Sequence, residues 1–237
     1  MDGLLVEQTR MRAGIARRML ESKQQVPHFY VQAEVAVDAV RERLAQLRGG
    51  EGAARVTMTV ALVRACVAAL REHPRFNSVW TPDGLLQVDE INVGIAIALD
   101  DGLVAPALLG ADGLGLAETA AALADVAERA RESRLRPREL SDGTFTLSNL
   151  GMFAVSAFTA IVTPPQVAIL ATGRPVERLL LRDGEPASVS LLTVTLSADH
   201  RAVDGVDAAR FLETFKHALE DPESLLAEPT RVKEAMS

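Results

Sequence analysis

Two hydrophobic periods set side by side predict a mixed α and β domain in this chain of 237 residues. Met11, Ile15 and Met19 stand four apart on one stripe of a helix over 9–23. Phe29, Val31, Ala33, Val35 and Val37 instead alternate with Tyr30, Gln32 and Glu34, the period of a half-buried strand. A third pattern adds a strand covered on both faces, because residues 91–99 are nearly continuous in apolar side chains. With 48% hydrophobic residues there is material for one sizeable core, so a single domain over 1–237 is expected.

The elements follow in order. The first helix closes at Lys23, with Pro27 just beyond it, and the alternating strand comes next. Asp38 is placed to cap a helix through Leu47, and Arg48-Gly49-Gly50-Glu51-Gly52 reads as a loop. Thr57 can cap the following helix, which is apolar on all sides, hence buried, and is ended by Pro74. The single cysteine, Cys66, lies inside it and reads as a small buried hydrophobe with no disulfide partner. Thr81-Pro82-Asp83-Gly84 is a turn, and strand 91–99 reverses at Asp100-Asp101-Gly102 into a second strand, 103–109, as a hairpin. Residues 116–135 make a long alanine-rich helix closed by Pro137. Strands then dominate at 144–147, 167–172 and 189–196. A last helix, 206–220, carries Ala209, Phe211, Leu212, Phe215 and Leu219 on one side.

Charge and composition exclude several function classes. Lys and Arg number 25 against 32 Asp and Glu, a net charge of −7 that does not suit a nucleic-acid surface. No uncharged apolar stretch approaches the ~20 residues that span a bilayer, and no secretory signal opens the chain. A reducing, soluble compartment is expected: the cytoplasm of a bacterium, or the mitochondrial matrix in a eukaryote. His28, His73 and His217 are scattered without metal-ligand spacing and read as surface or packing residues, so no metal is expected.

Chemistry concentrates in Ser197-Ala198-Asp199-His200-Arg201-Ala202-Val203-Asp204-Gly205-Val206, between a strand and a helix. Such junctions present side chains to a cleft. His200 titrates near neutral pH and can take and return a proton in each turnover. Asp204 follows it by four residues; it can serve the histidine, or simply cap the last helix.

His-Arg-x-x-Asp-Gly at the end of a strand resembles the active-site signature of the dihydrolipoamide acyltransferases, the core components of the 2-oxo acid dehydrogenase complexes, and more distantly that of chloramphenicol acetyltransferase. Residues Gly143-Thr144-Phe145-Thr146-Leu147-Ser148-Asn149-Leu150-Gly151-Met152-Phe153 resemble the family's second motif, and Phe158-Thr159-Ala160-Ile161-Val162-Thr163-Pro164-Pro165-Gln166 its continuation. Arg12-Ala13-Gly14-Ile15-Ala16-Arg17-Arg18-Met19 and Pro27-His28-Phe29 are similar to the segment that opens the acyltransferase domain. Asn92-Val93-Gly94-Ile95-Ala96 and Gly102-Leu103-Val104-Ala105-Pro106 match its middle. The likeness runs from about residue 9 to about residue 226 and is strongest to the acetyl-transferring members of pyruvate dehydrogenase. Two departures, Ala154 for a glycine and Thr163 for an asparagine, flank the implied substrate channel.

The resemblance implies a fold and a set of roles. The fold is a two-layer sandwich of a mixed sheet and helices, of the chloramphenicol acetyltransferase kind. His200 would deprotonate the attacking thiol, because a thiol with a pKa near ~8.5 is mostly protonated at neutral pH. Ser148 would stabilise the oxyanion, and Asp204 would position the base or fix its surroundings. Arg201 would be a charge partner and Gly205 a turn. Coenzyme A is the implied substrate, with Arg12, Asn149 and Thr163 as candidate contacts. The lipoyl group would come on a separate domain or chain, since no lipoyl or peripheral-subunit-binding domain is recognised here. Implied partners are lipoyl domains, the 2-oxo acid decarboxylase and dihydrolipoamide dehydrogenase, around a homotrimer or a larger cubic or dodecahedral core. The alternatives are a branched-chain or succinyl acyltransferase of the same family, a free-standing small-molecule acyltransferase, and a non-catalytic core.

Overall fold

The computed structural model describes residues 3–47, 56–182 and 184–227. Its first half holds helix α1 (Arg10–Gln25), strand β1 (His28–Ala36), helices α2 (Asp38–Leu47) and α3 (Met58–Glu72), and strands β2 (Ser78–Thr81), β3 (Gly84–Gln87), β4 (Val93–Ile95), β5 (Ile97–Leu99), β6 (Gly102–Val104) and β7 (Ala107–Leu108). Then come α4 (Leu116–Arg131), α5 (Pro137–Ser141), β8 (Phe145–Asn149), β9 (Ala168–Thr172), β10 (Val176–Arg182), β11 (Glu185–Asp199), α6 (Gly205–Glu220) and α7 (Pro222–Leu225).

The main sheet has the order β1-β11-β9-β8-β4-β7, with β10 paired to the first half of β11. Strand β8 runs parallel to β9 and β4 while the other pairings are antiparallel, so the sheet is mixed. Alternation decides its faces. Phe145, Leu147, Ala168, Leu170, Leu192, Val194 and Leu196 enter one core with α3 and α6, whose Phe211 ring lies 4.6 Å from Phe76 and 5.6 Å from Phe145. Their neighbours Thr146, Ser148, Ile169, Ala171, Thr193 and Thr195 take the opposite face. This is the expected two-layer sandwich.

Local chemistry explains most boundaries. The Thr9 and Thr57 hydroxyls accept from Arg12 N and Val60 N, capping α1 and α3. Helix α3 is buried over most of its surface, Arg64, Ala68 and Arg71 marking its open side, and burial pushes the Cys66 thiol well above its ordinary pKa, which leaves it inert. The α1 stripe touches β6 without being buried by it: a Cβ on Gly102 would come within 2.9 Å of Met11 Sδ and 3.0 Å of Ile15 Cδ1, while Met11 stays exposed and Ile15 and Met19 are half-buried.

Several expectations are corrected. Asp38 is the first residue of α2 and does not cap it; its carboxylate accepts from Ser190 N across to β11. The apolar run 91–99 is two strands. Ile95 N donates to Pro106 O and Ala96 N to Leu147 O, and because Pro106 has no N–H the ladder stops there. Strands β4 and β7 stay in the main sheet, while β5 and β6 form a separate hairpin. Helix α4 ends at Arg131, as Ser133 takes a left-handed φ of 54°. In α6 the inward residue is Ala208; Ala209 is exposed. The β2–β3 hairpin and β10 had no forecast, and the loop expected at 48–52 lies outside the described residues.

Among the described residues, the ion pair buried on both partners joins α4 to α5. Arg129 donates through Nη1 and Nη2 to the two oxygens of buried Glu139, both at 2.7 Å, and through Nε and Nη2 to Asp125. The Arg129–Glu139 bonds tie α4 to α5, and Arg136 N, at the N-cap of α5, adds a third donor to the Glu139 carboxylate. These donors, Arg129 foremost, hold the Glu139 carboxyl below the usual carboxylate range. A depressed folded pKa contributes stability above the unfolded value of about 4.3, and the contribution is lost as pH falls through the folded pKa. Arg129→Ala leaves Glu139 buried and unpaired, so the urea midpoint at pH 7 should fall by an amount equivalent to about 3–5 kcal/mol. The parent's loss of stability below about pH 4.3 should flatten in this variant. An unchanged midpoint would show the pair to be dispensable.

Candidate active site

The turn after β11 places the histidine. His28 and Asp199 are the last register pair between β1 and β11, and the chain then bends sharply as Ala202 N and Val203 N both donate to Asp199 O, at 3.0 and 3.2 Å. His200 N donates to Pro27 O at 3.1 Å, and the imidazole packs against Phe29 with centroids 4.6 Å apart and planes tilted 51°. Its other surroundings are open, and the residue is exposed. One residue to either side, a rigid clamp holds the turn. Buried Asp199 receives Arg201 N and Nε at 3.0 Å and Nη2 at 2.6 Å, and the guanidinium lies 4.3 Å over the Trp80 ring. Arg201 is thus the expected charge partner. The role of Trp80 was not read from the sequence, where its being the only tryptophan was the sole signal.

Asp204 is the N-cap of α6. Its Oδ1 accepts from Val206 N at 2.8 Å and Asp207 N at 3.0 Å, while Asp207 Oδ2 accepts from Asp204 N. Those backbone bonds hold the carboxyl below its ordinary pKa, with smaller help from the charges of His200 and Arg75. It makes no hydrogen bond to the His200 ring, so within one chain it contributes a fixed negative charge near the histidine and does not orient it directly. Gly205 is the first residue of the helix, not a turn, and a Cβ there would meet open space.

Ser148 stands elsewhere. It sits near the end of β8 on the face away from the helices, half-buried, with its hydroxyl unbonded among the described residues. Register gives its distance from the histidine. Ser148 pairs with Ala171, Ala171 with Thr195, and His200 lies five residues further along β11. Two strand spacings and five strand residues separate them by roughly 19 Å. The two groups therefore occupy opposite ends of one sheet. The Ser148 end is built tightly: Asn149 Oδ1 accepts from Gly151 N and Thr172 Oγ1, and its Nδ2 donates to Thr59. The Asn149 amide thus joins its own turn to β9 and α3. Next to it, a Cβ on Gly173 would overlap the Ser156 carbonyl, so only glycine lets the loop cross there.

A cleft of about 970 Å3 opens between α1, the β2–β3 hairpin and residues 163–166. Arg10, Arg17, Arg18, Thr163 and the Asp199–Arg201 pair line it; Arg12 does not, being exposed on another face of α1. At its base Thr146 Oγ1 donates to Gln166 Oε1 at 2.6 Å, and Gln166 Nε2 donates to Gly143 O. Neither Ser148 nor His200 lies on its wall.

The profile of the family described as "2-oxoacid dehydrogenases acyltransferase (catalytic domain)" matches residues 5–227. The chain belongs to this family. It is 36% identical over 225 residues to the dihydrolipoyllysine-residue acetyltransferase component of the pyruvate dehydrogenase complex of Rickettsia bellii (strain RML369-C), an alignment covering 94% of this chain and 54% of that protein. The chain thus spans about half the length of the curated relatives it matches. Among solved structures it is similar to the dihydrolipoamide acetyltransferase of Azotobacter vinelandii, with TM-score 0.89, 29% identity and 95% of each chain covered. It is equally close to the cubic core of a pyruvate dehydrogenase multienzyme complex, with TM-score 0.89, 30% identity and 95% of each chain covered. A chloramphenicol acetyltransferase at TM-score 0.56 and 18% identity shares the fold. Relatives of this acyltransferase family come from bacteria and from mitochondria, and among the described residues no helix is long and apolar enough to cross a membrane.

Proposed function

We propose that this chain moves an acetyl group between an S-acetyldihydrolipoyl group carried by a partner domain and coenzyme A, at a site shared between neighbouring subunits of a trimer. One observation carries the reading. The serine, histidine and asparagine studied for their roles in the catalytic mechanism of the Azotobacter vinelandii enzyme are separated by 52 and then four residues, the same intervals that separate Ser148, His200 and Asp204. The separation of Ser148 from His200 across one sheet supports placing them on adjacent subunits.

In this reading His200 takes the thiol proton of coenzyme A, and the thiolate attacks the thioester carbonyl. The Ser148 hydroxyl, free within its own chain, donates to the oxyanion that forms. Collapse expels the dihydrolipoyl sulfur, which recovers the proton from His200. Asp204 stands where the relative has an asparagine; its negative charge favours the imidazolium that appears midway. We place the phosphates of coenzyme A along the cleft beside Thr163 and the arginines Arg10, Arg17 and Arg18, neighbours of Arg12 with donors suited to phosphate. Assembly on lipoyl domains, the decarboxylase and dihydrolipoamide dehydrogenase, and packing of trimers into a larger core, belong to the same proposal and follow the cubic-core relative.

A donor panel with dihydrolipoamide as acceptor tests it. Acetyl-coenzyme A should exceed isobutyryl- and succinyl-coenzyme A in kcat/KM, by at least the roughly 10-fold at the low end of what a single added methylene confers in an apolar pocket. A higher kcat/KM for a branched donor would overturn the acetyl assignment and make Ala154 and Thr163 marks of a widened pocket. Transfer to amines or alcohols but not to dihydrolipoamide would favour a small-molecule acyltransferase.

A further inference from the structure

The Pro27-His28-Phe29 segment does more than pack, and the ring of His28 shows how. A carbonyl can only accept, so the 2.8 Å contact of His28 Nδ1 with Val26 O puts the ring proton on Nδ1. A backbone N–H can only donate, so the 3.1 Å bond from Val162 N to Nε2 requires a bare lone pair there. The ring is therefore neutral and in one tautomer. Val162 is fully buried, and its carbonyl accepts from Ser22 Oγ at 2.5 Å. Two residues on, Pro164 O accepts from Arg18 Nη2 at 2.6 Å. His28, Ser22 and Arg18 thus pin the far end of the crossover 150–167, which leaves β8 just past Ser148 and enters β9.

The neighbours of His28 in the chain seat the histidine that this chain lends to a different site from its Ser148, since Pro27 O accepts from His200 N and Phe29 packs on the His200 ring. We propose that His28 is a positioning residue for the acyl-transfer site: in its neutral form it latches Val162, and through Val162 the crossover, to the segment that seats His200, and protonation of Nε2 opens the latch. This rests on His200 being the base. Once Nε2 carries a proton, two N–H groups face one another and the buried Val162 amide loses its acceptor. The groups facing the ring bear on when this happens. Lys23 on α1, which donates to Tyr30 OH, opposes protonation by its charge; Asp199 on β11 favours it; the Tyr30 ring stacks at 6.1 Å. Burial outweighs these and lowers the His28 pKa below its ordinary value. The latch is thus closed at neutral pH and opens as pH falls below about 6.5.

Hydrogen exchange of peptides covering 158–166, corrected for the intrinsic rate, reads the latch without any assay of turnover. In the parent, protection should fall severalfold between about pH 7.5 and about pH 5.5, toward the roughly tenfold limit that linkage to a group with an ordinary pKa near 6.5 allows. His28→Gln, whose amide offers one donor and one acceptor and does not titrate, should keep its protection across that range. His28→Ala should be poorly protected at both values. Turnover gives the second arm: the acid limb of log kcat/KM should steepen toward a slope of about two in the parent and return to about one in His28→Gln. Equal pH dependence of exchange in parent and His28→Gln would overturn the latch, whatever the activity. A pH-dependent latch with identical acid limbs would overturn only its link to catalysis. If His28→Ala does not fold, the comparison of parent with His28→Gln decides alone.

Discussion

Replacing His200 with alanine should lower kcat by about 10²- to 10⁴-fold while leaving the assembly intact, because the change removes a general base and almost no packing. The imidazole is exposed and packs on the Phe29 ring, whereas the turn beneath it is held by Asp199, Arg201 and the Pro27 carbonyl, none of which the substitution alters. The loss should fall on kcat and kcat/KM alike, the mark of an interaction realised in the transition state. Steady-state rates against coenzyme A, with native mass measured on the same sample, check both halves. A His200→Ala protein within about threefold of the parent would remove the histidine from the mechanism, and a large loss accompanied by disassembly would make its role structural.

How much of this was legible in the sequence depends on what held each element. Helix α6 and strand β1 were readable because their apolar side chains recur in a fixed period along one face, and α3 and β9 because nearly all their residues are apolar. Strand β10 was not, since nearly all its residues, Leu179, Leu180 and Leu181 among them, are exposed and only backbone pairing with β11 makes it a strand. The Asp-Gly pair at 183–184 was the available hairpin signal. The split of residues 91–99 was hidden for another reason. It depends on Pro106, eleven or more residues away in the chain from β4, meeting Ile95 across the ladder. His200 announced itself by its strand-to-helix setting and its motif. The work of His28 was invisible, because both of its bonds go to backbone groups and one of them, Val162 N, is distant in sequence.

The same register that orders the sheet decides where a complete site can form. Ser148 and His200 stand at opposite ends of the sheet, roughly 19 Å apart, so under the proposed function one chain by itself would hold two half-sites. In a cyclic trimer each subunit lends its histidine to one neighbour and its serine to the other. His200→Ala and Ser148→Ala proteins should each be nearly inactive. Unfolded together in equal amounts and reassembled, they should regain about a quarter of the parental rate: about three trimers in four are mixed, and every mixed ring holds one interface in three where an intact histidine meets an intact serine. A site within one chain predicts no recovery, as no chain then carries both groups. Rates no greater than the summed residual activities, in a sample shown by native mass to contain mixed trimers, would refute the shared site and require a hinge that carries Ser148 to the His200 of its own chain.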